Sequence, residues 1–346
     1  MSGIAKHKVL ITGAGAPGAA GIISCLKKDP SLNLICCDAN IDASGQFLNI
    51  PFFQCLKGRD KEFIPNLLEQ AIEHKIDVVL PLVTSELLPF SKNIELFRAK
   101  GIKVIVSEHK ALEIANNKGK LYEFLKENTV PVPQFEIVQD VEGLKKAITN
   151  LGYPKNAVCF KPCVSNGSRG FRILDTSVNQ HDLLFNHKPS STYIDEEYLF
   201  KILKDKELPE LLVSEVLPGD EYSVDCLVDN GKAMLVVPRK RTKIQAGISV
   251  SGEFVKNQSI IDYCTKIVEL LKLHGMIGVQ VKATLGGEYR ILEINPRVQG
   301  TIVAGIGAGV NLPLMAINQE VDSNFRVKET IKWGTKFDRV WKEYYH

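Results

Sequence analysis

Short apolar runs alternate with amphipathic stretches through the first hundred residues. Residues 8–12 (Lys8-Val9-Leu10-Ile11-Thr12) read as a buried strand, and residues 34–38, 77–81 and 103–106 as three more. A glycine-rich turn leads from the first strand into a helix ending at Leu26, and Phe63 to His74 has helical periodicity. Strands separated by helices of this length predict a parallel, doubly wound α/β sheet.

The pattern changes near residue 110. Helical segments at 111–115 and 118–127 lead to Val130-Pro131-Val132-Pro133, a short strand, a helix over 141–150 and a strand over 157–161. Residues 181–206 are charged and predicted helical. From Leu211 the chain is strand-rich, at 211–216, 221–228, 233–238, 275–282 and 289–294, interrupted by helices at 257–273 and after Thr301. This half predicts an α+β fold with antiparallel sheets. The chain therefore divides at 1–110, 111–210 and 211–346, with no internal repeat.

Composition changes this picture little. The 346 residues are 45% hydrophobic and 24% charged, ordinary for a globular chain. A net charge of +3 gives no nucleic-acid footprint. The one basic run, Arg239-Lys240-Arg241-Thr242-Lys243, reads either as a solvated hairpin or as an anionic-substrate site. No apolar run reaches the ~18 residues of a membrane helix. The N-terminus leads directly into a strand and has no leader pattern. None of the eight cysteines forms a Cys-x-x-Cys pair, which predicts buried, reduced thiols and a cytoplasmic setting.

Four places carry candidate chemistry. Glu293-Ile294-Asn295-Pro296-Arg297 ends an apolar strand, and alternation points Glu293 and Asn295 to one face. Oxygen donors beside a guanidinium suit Mg²⁺ bridging phosphate oxygens. Lys161 ends another apolar strand, just before the polar glycine loop Ser165-Asn166-Gly167-Ser168-Arg169-Gly170, whose amides suit phosphates. Glu215 and Glu221 flank a Pro-Gly turn, where they suit an adenine amino group and ribose hydroxyls or are simply solvated. Gly13-Ala14-Gly15-Ala16-Pro17-Gly18, with Asp38 ending the next strand, matches a dinucleotide fingerprint; a tight turn that binds no dinucleotide satisfies the same pattern.

Substrate candidates lie nearby. Alternation puts Arg239 and Arg241 on one face, where a bidentate guanidinium suits a carboxylate or acyl phosphate. Thr84-Ser85-Glu86 ends the third N-terminal strand, at the carboxyl edge where ligands of open parallel sheets bind. Glu86 is placed to receive a cationic amine, and Thr84 or Ser85 to cap the following helix.

Taken together, Lys118, Lys161 with its glycine loop, Glu215-Val216-Leu217, Gly219-Asp220-Glu221, Gln280 and Glu293-Ile294-Asn295-Pro296-Arg297 resemble the ATP-grasp superfamily. Gly278-Val279-Gln280-Val281 followed by Glu293 to Arg297 is most similar to the carbamoyl phosphate synthetase large-subunit branch. The resemblance implies a Rossmann-like pre-ATP-grasp domain (1–110), a small lobe with linking helices (111–210) and a C-terminal lobe (211–346). It implies that Lys118, Lys161, Ser165, Gly167, Ser168 and Arg239 approach ATP phosphates, with Lys120 as an alternative to Lys118. Glu215, Val216 and Leu217 then read adenine and Glu221 the ribose. Gln280, Glu293 and Asn295 hold Mg²⁺, or Mn²⁺ in its place. Arg297, with Lys161 and Arg241, serves the phosphoryl transfer. The implied function is an ATP-dependent carboxylate–amine ligase acting through an acyl phosphate on small molecules, as a monomer or homodimer, without nucleic acid or membrane. An NAD-dependent oxidoreductase and a non-catalytic nucleotide-binding module are the alternatives. Two features depart from the pattern: Gln280 stands where many relatives carry an acid, and there is a single ATP-grasp unit, so carbamoyl phosphate synthesis itself is not expected.

Overall fold

The computed structural model describes residues 7–165, 167–189, 191–245 and 247–340. Asn166 of the predicted glycine loop, Ala246 beyond the basic run and the first six residues lie outside the described residues.

The chain forms two compact units. Unit 1 comprises the described residues of Met1–Ala115, Glu221–Val281 and Ile294–His346; unit 2 comprises Asn116–Asp220 and Lys282–Glu293.

Unit 1 opens with β1 (His7–Thr12), α1 (Ala19–Leu26), β2 (Leu32–Asp38), β3 (Phe52–Gln54), α2 (Phe63–Glu73), β4 (Val78–Pro81), α3 (Thr84–Lys92), α4 (Ile94–Arg98), β5 (Lys103–Val104) and α5 (His109–Ala115). The five strands form a parallel sheet of order β3-β2-β1-β4-β5. The chain order reverses between β1 and β4, so the turn after β1 and the start of α3 share the carboxyl edge at the switch point. Parallel strands are covered on both faces, hence their unbroken apolar runs. Alternation sends Leu10, Ile35, Cys37 and Val79 into a core with Phe63, Phe90 and Phe97. Val9, Ile11, Cys36, Val78 and Leu80 enter a second core, joined by Leu227, Val237, Phe254, Met276, Ile302 and Ile317.

Unit 2 begins with α6 (Lys118–Glu127), β6 (Phe135–Val138), α7 (Val141–Asn150), β7 (Val158–Pro162), β8 (Arg172–Leu174), α8 (Gln180–Asn186), α9 (Glu196–Leu203) and β9 (Leu211–Glu215). The antiparallel sheet β6-β9-β7-β8 packs Val158, Phe160 and Val213 against Leu144, Ile148 and Leu199. The chain then returns to unit 1 with β10 (Glu221–Asp229), β11 (Lys232–Gln245), β12 (Ile248–Phe254), α10 (Gln258–Leu270), β13 (Gly275–Ala283), β14 (Tyr289–Asn295), α11 (Leu312–Val321) and β15 (Lys336–Asp338). These strands form a sheet of order β14-β13-β10-β11-β12-β15. β13 and β14 each contribute residues to both units.

Three local expectations are corrected. The run 181–206 is two short helices rather than one, since Pro189 between them cannot continue a helix. The basic run lies in one arm of the β11–β12 hairpin but is not solvated throughout: Arg239 is buried, opposite Ser223 on one side and Phe254 on the other. Neither Thr84 nor Ser85 caps α3, whose N-cap is Val83 without a side-chain bond. No helix among the described residues is long and apolar enough to cross a membrane.

Candidate active site

Within unit 2, three chain-distant segments meet at the end of β14. Asn117 caps α6 by accepting from the Lys120 amide at 3.0 Å, which fixes the helix start. Lys118 is thereby buried while Lys120 is exposed. The Lys118 ammonium donates to the Ser165 carbonyl at 2.8 Å and lies 3.6 Å from Glu293 Oε2. Lys161 Nζ, from β7, donates to the Leu292 carbonyl at 2.8 Å. Two ammonium groups are thus anchored on consecutive residues of one strand. Tyr122, one turn after Lys118 on α6, donates its hydroxyl to the Ile291 carbonyl at 2.7 Å. No sequence motif announces that tyrosine; its burial on a helix face was the available signal.

The loop after β7 presents Gly167 and Ser168, both exposed and both in the left-handed region, at φ +64° and +58°. Glu215 ends β9, where its Oε1 accepts from the Gln134 amide at 2.8 Å. The half-buried Val216 and the buried Leu217 follow it.

In unit 1 the two arginines of the basic run each take an acid from β10. Arg239 is 1% exposed: it grips Asp225 Oδ2 at 2.7 Å and lies over the rings of Phe254 and Phe337. Its guanidinium is thus engaged inside the fold by Asp225. Arg241 pairs with Glu221 and donates to Ser249 Oγ at 2.9 Å and the Gly247 carbonyl at 2.6 Å. Asp225 was missed, although a charge inside the apolar stretch of β10 demands a buried partner. It also accepts from Gln299 Nε2 at 3.2 Å. Gln280 and Asn295 are half-buried on β13 and β14, and Arg297 Nε donates to Thr84 Oγ1 at 3.0 Å.

Alternation along β14 puts Glu293 and Asn295 on one strand face, and both side chains offer oxygen. Among the described residues no group of three His, Cys, Asp or Glu side chains provides an alternative metal cluster. All eight cysteines are free and buried, as expected. Burial pushes Cys25 and Cys36 up to about 11 and Cys163, beside Lys118, up to about 12, so these thiols stay neutral near physiological pH and make poor nucleophiles.

At the carboxyl edge of the parallel sheet, Asp38 does not present its carboxylate to a ribose. Oδ2 accepts from the Gly15 amide and Oδ1 from the Asn40 amide, each at 2.8 Å. Glu86 is 4% exposed and accepts from the Thr12 hydroxyl. Desolvation raises its pKa from 4.5 to about 7, against the lowering effect of the Thr12 bond.

Residues 207–343 match the family model described as ATP-grasp in the biosynthetic pathway with Ter operon. The carbamoyl phosphate synthase large chain of Methanobrevibacter smithii is 22% identical over 251 residues, covering 68% of this chain and 22% of that protein. The chain thus spans about a fifth of the length of such relatives. Among solved structures, the ADP complex of N5-carboxyaminoimidazole ribonucleotide synthetase superposes with a TM-score of 0.68 at 18% identity, over 92% of this chain and 78% of that one. Biotin carboxylase from Campylobacter jejuni, solved with β,γ-ATP, gives 0.67 at 18%, over 95% and 73%. The mixed α/β architecture, a parallel sheet together with antiparallel sheets, is shared with these structures, so the chain has their fold, and its residues 207–343 carry the ATP-grasp match.

Proposed function

We propose that the chain is an ATP- and Mg²⁺-dependent carboxylate–amine ligase that forms a carbon–nitrogen bond through an acyl phosphate. The observation that carries this reading is the convergence of Lys118 and Lys161 on Leu292 and Glu293, at the head of Asn295-Pro296-Arg297. Two ammonium groups against one carboxylate leave a net positive locus, suited to a polyphosphate. The Glu293 carboxylate and the Ser165 carbonyl explain why a charge at 6% exposure is tolerated at Lys118.

In this reading Lys118, Lys161 and the amides around Ser165, Gly167 and Ser168 hold the phosphates. Glu215, Val216 and Leu217 line the adenine, and Glu221, oriented by Arg241, takes the ribose. Gln280, Glu293 and Asn295 would hold Mg²⁺, which would supply charge neutralisation at the phosphates. A carboxylate oxygen of the substrate attacks the γ-phosphorus, and the bond to the ADP oxygen breaks. Arg297 stabilises the charge on the transferring phosphoryl group. The amine lone pair then attacks the acyl carbon, phosphate departs with the bonding electrons, and the ammonium proton is lost to solvent. Carboxylate is a poor electrophile; phosphorylation supplies its leaving group, and the protein contributes position and charge. The two alternatives gain nothing from the structure. Asp38 is engaged by its own turn, which speaks against NAD, and the intact donor set speaks against a non-catalytic module.

Two measurements test the proposal. Mg-ATP should raise the melting temperature, by the equivalent of about 2.7 kcal/mol at a hundredfold excess over Kd, and NAD should not; the reverse outcome sinks the reading. ADP and phosphate release should then appear for some carboxylate–amine pair in a panel of amino acids and carboxylated sugars. Glu293→Gln should abolish that release, and undiminished turnover would remove Glu293 as a metal ligand.

A further inference from the structure

The glycine-rich turn after β1 has no role in the ligase chemistry described above, yet it is built with unusual closeness to one catalytic segment. We propose that residues 13–18 form a positioning seat for Arg297 and are not a dinucleotide site. The inference rests on the ATP reading only in taking Arg297 to meet the γ-phosphoryl group.

The turn supports Arg297 from both sides. Gly13 is at φ +66°, and a methyl carbon built on it would stand 2.7 Å from Val83 Cγ1. Val83 immediately precedes Thr84, whose hydroxyl accepts from Arg297 Nε at 3.0 Å. A side chain at Gly13 would therefore push on the residue next to Arg297's anchor. Gly18 is at φ +95°, and a methyl carbon there would stand 2.6 Å from the Gly300 Cα and 2.9 Å from its carbonyl carbon. The closeness is mutual: a methyl carbon on Gly300 would meet the Pro17 carbonyl oxygen at 2.5 Å. Backbone is in contact with backbone, so neither side can yield as a flexible side chain would. Gly300 lies three residues after Arg297.

Between these supports the segment is held internally. The Arg297 amide donates to the Asn295 carbonyl at 2.7 Å, and Arg297 Nη1 donates to the Val298 carbonyl at 2.7 Å. The buried Gln299 is tied to Asp225. In a dinucleotide fold the pyrophosphate rests on the turn at the start of the helix. Here the Gly300 backbone approaches Gly18 at that helix start, and Asp38 closes on the Gly15 amide. Gly18 is required by this contact between the sheet edge and the segment carrying Arg297, and Gly13 by the Val83 side chain beside Thr84.

The test compares Mg-ADP with the non-hydrolysable Mg-AMP-PNP by titration calorimetry on the full chain. Arg297 acts on the γ-phosphoryl, so its misplacement should weaken the triphosphate analogue selectively. Thr84→Val should cut the preference for Mg-AMP-PNP over Mg-ADP by about tenfold, the scale of one hydrogen bond to a charged group. Thr84→Ser, which keeps the hydroxyl, should restore it. Gly18→Ala should cut the preference similarly, and should cut it no further in an Arg297→Ala background, because both changes act through one group. Gly300→Ala probes the same contact from the other side if Gly18→Ala fails to fold. Equal weakening of both nucleotides by Thr84→Val, or an unchanged preference, overturns the proposal while leaving the ATP reading intact. NAD binding by the wild type that Gly18→Ala abolishes also overturns it. A wild type that binds neither nucleotide overturns the ATP reading, and this proposal with it.

Discussion

Glu86 sits in the first turn of α3 with its carboxylate on the Thr12 hydroxyl and 4% of its surface exposed. Desolvation is the largest cause of its rise from 4.5 to about 7, and the nearby Asp38 charge adds to it. The folded chain therefore holds this proton more tightly than the unfolded chain. Glu86's contribution to stability is full below about pH 4.5, falls as pH rises towards about 7, and is lost above it. The whole effect is about 3 kcal/mol. Glu86→Gln keeps an acceptor for Thr12 without the charge. Urea melts should show it more stable than wild type by about 2–3 kcal/mol near pH 8, with a flatter profile from about pH 4.5 to 7. A wild type whose stability is level across that range would show that Glu86 ionises freely. Asp225 makes the opposite prediction: Asp225→Ala leaves the Arg239 charge buried and should cost about 3–5 kcal/mol. A loss below about 1 kcal/mol in a denaturant melt, the scale of a surface pair, would refute that placement. Glu293, Asn295 and Arg297 stand out as candidates because one short motif carries them. Asp225, Gln299 and Thr84 do not, since their roles depend on residues 74 and 213 positions away meeting across strands and loops.

Among the elements, apolar runs located β1, β2, β4, β7, β9, β10, β13 and β14, because strands buried on both faces leave few polar interruptions. The short β3 and β15, of three residues each, carry too little pattern to read. β12 reads Ile-Ser-Val-Ser-Gly-Glu-Phe, with Ser249 buried and Ile248 and Val250 only half-buried, so its polar residues hid it. The start of α3 was expected near Thr84, but its run to Lys92 was hidden by Pro89 inside it, a residue that usually ends a helix. α6 was legible, but its purpose was not. It brings Lys118 to Glu293 and Tyr122 to Ile291, so it fastens the strand that carries the carboxylate. Tyr122→Phe keeps the packing against Phe135 and removes the donor to the Ile291 carbonyl. It should lower the urea midpoint by the equivalent of about 1–2 kcal/mol without changing the m-value. An unchanged midpoint would show that the hydroxyl contributes nothing to holding β14.

At the scale of the molecule, residues 1–110 read from the sequence as a domain of their own, and the two faces of their sheet are closed differently. One face of the parallel sheet is closed by local residues, with Leu10, Val79, Phe63, Phe90 and Phe97 in a core drawn wholly from the first 112 residues. The other face is not closed locally. Val9, Ile11, Val78 and Leu80 pack in one cluster with Leu227, Val237, Phe254, Met276 and Ile317, which arrive more than a hundred residues later. Periodicity could not show this, because a run buried against a local helix and one buried against a distant sheet read alike. A fragment of residues 1–115 would expose that second face, and an apolar patch of such size on a small domain drives association. Burying a Leu- or Ile-sized side chain is worth about 1.5–3 kcal/mol, so forfeiting several contacts is comparable with the whole stability of a domain. The fragment should bind a hydrophobic dye, associate, and melt without a cooperative transition by near-UV circular dichroism. Adding the separately expressed remainder, residues 116–346, should restore both cooperativity and Mg-ATP stabilisation if the shared core is what the fragment lacks. A fragment that is monomeric, dye-silent and cooperatively folded alone would show that the first core suffices and that the second is only a docking face.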